Sequence, residues 1–137
     1  MKTLVRWTVG VAAVLVGLAR PGAAQQATRF AMTCIGTEAG SAINFAYRWG
    51  ESGSWENTSV EPGKWLILTW RYDYPNQNRS PVLTVRYDAD FTSATSFVVE
   101  QLESYAAPID SNCEQYGKTY NFYTSRTGDT LFLVAED

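Results

Sequence analysis

Trp55 and Trp65 bracket the polar stretch WENTSVEPGKW, which holds the residue types of a sugar-binding platform. Indole rings offer flat apolar faces, while nearby carboxylates and amides can bond hydroxyls; here these would be Glu56, Asn57 and Glu61. A cluster of exposed tryptophans is costly enough to mark an interaction site. The alternative is that both rings cap the ends of a core. A second candidate is the long polar connection YDYPNQNRSP, Tyr72 to Pro81. Loops on a rigid scaffold often carry binding, and Tyr72, Tyr74 and Arg79 are of types favoured at protein-recognition hot spots. An ordinary crossover between strands is the competing account.

Catalysis has less to draw on. The chain has 0 histidines, which removes Ser-His-Asp and Cys-His chemistry and every His-ligated metal site. Carboxylates are plentiful, Glu56, Glu61, Asp88 and Asp90 among them. A glycosidase needs two of them facing each other, about 5 Å or 6.5–9.5 Å apart, and no spacing singles out a pair. The oxygen-rich stretch DADFTSATS, Asp88 to Ser96, lacks the Asp-x-Asp-x-Asp-Gly pattern and trailing Glu of a calcium loop, so a solvated loop is expected. No metal and no other cofactor is expected. Asn57 in NTS and Asn78 in NRS fit the glycosylation triplet, and Pro81 just after the second weakens it.

The two cysteines, Cys34 and Cys113, have no CxxC spacing that would suggest redox chemistry. The N-terminus says where they reside. Lys2 and Arg6 precede the apolar run TVGVAAVLVGLA, and small residues follow at Gly22-Ala23-Ala24. This is the pattern of a signal peptide over residues 1–24, cleaved after Ala24, with Ala27 the neighbouring option. The run is too short for the roughly 20 residues that cross a bilayer, so no transmembrane helix is expected after cleavage. A secreted or periplasmic location follows, and in that oxidising setting a Cys34–Cys113 disulfide is the default.

The chain has 11 basic and 14 acidic residues, a net charge of −3, and loss of Lys2, Arg6 and Arg20 with the leader would make it more acidic. Neither a nucleic acid nor an anionic membrane fits that balance.

The elements that must position these residues read as strands. Residues 25–137 have the length of one domain. Eight candidate strands, Arg29–Ile35, Ala42–Trp49, Trp55–Val60, Lys64–Tyr72, Val82–Asp88, Ser96–Tyr105, Lys118–Ser125 and Thr130–Ala135, are separated by stretches rich in Gly, Pro, Asn, Asp and Ser. Period-two alternation recurs: Ile43, Phe45, Tyr47 and Trp49 share one face, as do Leu66, Leu68, Trp70 and Tyr72, and Leu83, Val85 and Tyr87. Their opposite faces carry Asn44, Arg48, Thr69, Arg71, Thr84 and Arg86. The expected fold is all-β: one small antiparallel β-sandwich of seven or eight strands. Arg-Tyr-Asp occurs at Arg71–Asp73 and again at Arg86–Asp88; strand ends meeting solvent, with a weak surface ion pair, account for it.

These features together point to an exported, non-catalytic binding or interaction module whose ligand is a protein or a glycan. The alternatives are a structural envelope protein, an inhibitor of secreted enzymes acting through the Tyr72–Pro81 loop, and a small glycan hydrolase using carboxylates alone.

Overall fold

The structure is a computed structural model that describes residues 29–74, 77 and 79–136. The expected signal peptide and its cleavage point lie outside the described residues, as does Asn78. The described chain forms β1 (Phe30–Thr37), β2 (Ile43–Trp49), β3 (Glu56–Val60), β4 (Leu66–Arg71), β5 (Leu83–Asp88), β6 (Phe97–Leu102), β7 (Tyr105–Ala107), the one-turn helix α1 (Cys113–Tyr116), β8 (Lys118–Thr124) and β9 (Leu131–Glu136).

Two sheets result. The first has the order β4-β1-β8-β9 with β7 also on β1, and the second has the order β3-β2-β5-β6. Alternation decides which side chains go between them. Ile43 and Phe45 on β2, Leu83, Val85 and Tyr87 on β5, Leu68 on β4 and Tyr120 and Phe122 on β8 all enter one core cluster. Burial of such side chains is worth about 1.5–3 kcal/mol each, which is what holds the two layers together. The stripe that ends in Trp49 is therefore mainly core, with Tyr47 and Trp49 half-buried at its edge.

β1 breaks the alternation because both of its faces are covered. Its inner side meets the main core through Ile35, while Met32 and Cys34 join Ala107 and Cys113 in a second cluster on the outer side. Cys34 and Cys113 are disulfide-bonded across a separation of 79 residues. Gly117 ends α1 against this bridge: a Cβ there would stand 2.6 Å from Cys34 Sγ.

The observed fold differs from the expected one at three points. Ser96–Tyr105 is not one strand but two, because the chain leaves the second sheet after β6 and enters the first as β7. The corner between them is clamped. Thr33 Oγ1 donates to the Glu103 carbonyl at 2.8 Å and lies 2.7 Å from the Ser104 hydroxyl, and the Glu103 N–H donates to the Tyr120 hydroxyl at 2.9 Å. Thr33 is thus fully buried yet satisfied. Second, α1 occupies a stretch expected to be loop; the Asn112 side chain caps it by accepting from the Gln115 N–H at 3.3 Å. Third, the sandwich is not purely antiparallel. β7 pairs antiparallel with Phe30–Met32, the chain reverses through α1, and β8 then runs parallel to Thr33–Thr37 on the same edge of β1. Parallel neighbours cannot be joined by a tight hairpin, and β1 and β8 are linked only through all the elements between them. No helix among the described residues is long and apolar enough to cross a membrane.

Candidate functional site

The outer face of the second sheet carries the most unusual surface chemistry. Register places Asn57 opposite Ala46, Ala46 opposite Arg86, and Arg86 opposite Val99, so these four form one row across β3, β2, β5 and β6. Arg48 pairs with Thr84, and Asp88 pairs with Phe97. Trp55 immediately precedes β3. Its ring lies 4.5 Å from the guanidinium carbon of Arg48 and 4.6 Å from that of Arg86. Arg86 sits two strands away, and the small side chain of Ala46 on the strand between leaves the ring room to reach it. The same Arg86 guanidinium lies 5.6 Å from the Phe97 ring. Arg48, Trp55, Arg86 and Phe97 therefore form a continuous chain of cation–π contacts, each worth about 0.5–1 kcal/mol where solvent reaches it.

The electrostatics are just as distinctive. Among the described residues neither guanidinium has an ion-pair partner, and Arg48 Nε is a buried donor with no hydrogen bond. Lys64–Glu61 is the ion pair those residues do form, so the two Arg-Tyr-Asp triplets contribute none. Phe97 is 64% exposed and Val99 58% exposed, both on the edge strand β6. Beside Phe97 lies an open depression of about 420 Å³ lined in part by Asn44, Asn57, Arg86 and Asp88.

Asp88 has another role in this face. Its Oδ1 accepts from the Ser96 N–H at 2.9 Å and the Asp90 N–H at 3.0 Å, folding the β5–β6 loop around the carboxylate. These backbone donors, Ser96 foremost, hold the carboxyl below its ordinary value. Asp90 turns inward on the Thr92 backbone and hydroxyl in the same way. In the β8–β9 loop the Thr127 and Ser125 hydroxyls likewise lower Asp129, and the Asp90–Thr130 bridge ties the two loops together. A carboxyl whose folded value is depressed stabilises the fold above its unfolded value, and that stabilisation is lost as pH falls through the folded one. The melting temperature is therefore expected to drop below about pH 4, and to drop less steeply in Asp88→Asn. Parallel acid slopes for the two proteins would contradict this role. Neither Asp88 nor Asp129 has the raised value a general acid needs. Glu56 and Glu61 are solvent-exposed, on β3 and just after it.

The remaining expected contact residues do not gather with Trp55. Trp65 packs against the disulfide cluster on the outside of the first sheet, where its indole N–H donates to Glu114 Oε2 at 3.2 Å. It borders a separate hollow of about 200 Å³ with Gly36, Lys64 and Asn121. The platform expected from Trp55 and Trp65 together is thus not assembled: β3 and β4 belong to different sheets, and the two rings face away from each other. Tyr72 is only 8% exposed. Its ring meets Trp70 edge-on at 5.7 Å and takes the Arg29 guanidinium at 5.0 Å, so it serves the fold and offers little to a ligand. Tyr74 and Arg79 remain exposed, and the Gln77 side chain accepts from the Asp73 N–H at 2.7 Å and donates to the Arg79 carbonyl at 3.1 Å.

Sequence reasoning missed Arg48, Arg86, Phe97 and Val99. Strand parity puts both arginines on outward faces, but only cross-strand register reveals that they converge on one indole. No protein-family model matches the chain, and neither does any curated protein or solved structure.

Proposed function

We propose that the chain is an exported, non-catalytic binding module that meets its ligand with the outer face of the second sheet. The observation that supports this reading is the pair of guanidinium groups over Trp55, with no ion-pair partner among the described residues, extended by the exposed Phe97 and Val99. Aromatic and arginine side chains on one open surface are the types that dominate binding hot spots. Export is supported by the leader-like N-terminus, and a disulfide between the only two cysteines suits an oxidising compartment.

A glycan array and a pull-down from the extracellular fraction, each run with wild type and Trp55→Ala, test the reading. A hot-spot tryptophan is worth about 2 kcal/mol or more, so retention should fall about 30-fold or further while the melting temperature changes little. Tyr74→Ala, at an exposed ring of the Tyr72–Pro81 connection, should leave retention unchanged. Loss of retention in Tyr74→Ala and not in Trp55→Ala would move the binding surface to the loop and refute the reading.

A further inference from the structure

We infer that the ligand of this face is a uronate-bearing polysaccharide, its carboxylates taken by Arg48 and Arg86 and its sugar rings laid on Trp55 and Phe97. The inference rests on the binding reading above and names the ligand class. A guanidinium held over a ring keeps its charge, and its terminal N–H groups are the donors that match a carboxylate in a paired, planar geometry. Both guanidinium carbons stand within 4.6 Å of one indole centre. The two charges are therefore no further apart than the sum of two such distances, close enough to grip neighbouring groups on one polymer.

Charge complementarity supports an anion. The chain as a whole carries −3, yet among the described residues neither Arg48 nor Arg86 forms an ion pair: Asp88 is bonded to its own loop, and Glu56, which borders a hollow with Arg48, makes no salt bridge to it. The neutral groups decide between a sugar and an acidic peptide. The depression beside Phe97 is lined by Asn44, Asn57 and Thr58, amides and a hydroxyl that exchange hydrogen bonds with sugar hydroxyls. An extended peptide would instead seek the backbone of an edge strand. The charged and aromatic groups stand on the face of the sheet, where a ring can stack and a strand cannot pair.

Calorimetric titration of the purified protein separates the outcomes. The probes are oligomers of galacturonate, glucuronate and mannuronate, the same oligomers with every carboxyl methyl-esterified, and poly-L-glutamate. At least one uronate oligomer should bind, weaken as salt is raised, and lose tenfold or more on esterification. Arg48→Gln and Arg86→Gln should each weaken it about tenfold and flatten the salt dependence, while the folded protein loses only the small stability of the ring contacts. Three results overturn the inference: no binding by any uronate oligomer, equal binding of acid and ester, or tighter binding of poly-L-glutamate. The binding reading itself fails separately, when Trp55→Ala leaves the array and pull-down ligands in place.

Discussion

Replacing Cys34 and Cys113 together with alanine is expected to cost about 4–5 kcal/mol of stability, the figure a chain-entropy argument assigns to a closed loop of this length. Domains of this size hold about 5–15 kcal/mol in all, so the variant should lose between about a third and nearly all of its stability. The geometry explains why little would compensate. The bridge joins the central strand β1 to α1, and its sulfur atoms are the floor on which Met32, Ala107, Trp65 and Tyr116 pack. Losing it would free the α1 turn that carries the chain from β7 back to β8. Urea unfolding of the oxidised protein, the reduced protein and the double variant measures the effect. A double variant within about 1 kcal/mol of wild type would show that packing alone holds β1 and α1 together.

The second large effect is expected at Phe122. This ring on β8 is fully buried and meets two rings of the facing sheet, Phe45 at 5.5 Å and Tyr87 edge-on at 5.1 Å. Phe122→Ala should destabilise by about 3–5 kcal/mol, combining lost transfer energy with the cavity left between the layers. Phe122→Leu should cost much less, because it keeps most of the volume. The damage would spread through Tyr87. Its hydroxyl donates to Glu100 Oε2 at 2.6 Å, and burial with that carboxylate beside it pushes the phenol well above its ordinary value. A ring freed by the cavity would no longer hold this bond. Denaturant midpoints and slopes for the two variants are the measurement, and equal losses for Ala and Leu would contradict a packing origin.

How much of this was legible beforehand depends on how local each feature is. The faces of β2, β4 and β5 follow from period-two alternation, since a strand's parity needs no knowledge of its partner. The disulfide follows from there being two cysteines and a leader-like N-terminus. Trp55 and Trp65 are different. They are close in the chain, but between them it passes from one sheet to the other, and outward reverses its direction at that step. The opposed faces of the two tryptophans are set by topology, which the spacing of residues does not encode. Strand parity places Arg48 and Arg86 outward, yet their shared indole depends on register between strands far apart in sequence. Phe97 and Val99 show the same limit. β-Branching and aromatic content mark β6 as a strand, but which parity meets water is fixed by β5 beside it. β1 hides its own pattern because both faces are covered, and four residues are too few for α1 to show a helical period.

The shared edge of β1 also governs the order in which the molecule can be completed. Phe30–Met32 acquires its neighbour when β7 arrives, but Thr33–Thr37 waits for Lys118–Phe122, almost the whole described chain later. Pairings of such long range make sandwiches fold in milliseconds to seconds. Through that interval the run FAMTCIGT presents half an unfilled edge and a bare apolar back, the kind of surface on which partly made chains stick to one another. A nascent chain halted before residue 118 would therefore be an aggregation nucleus, however complete the second sheet had become.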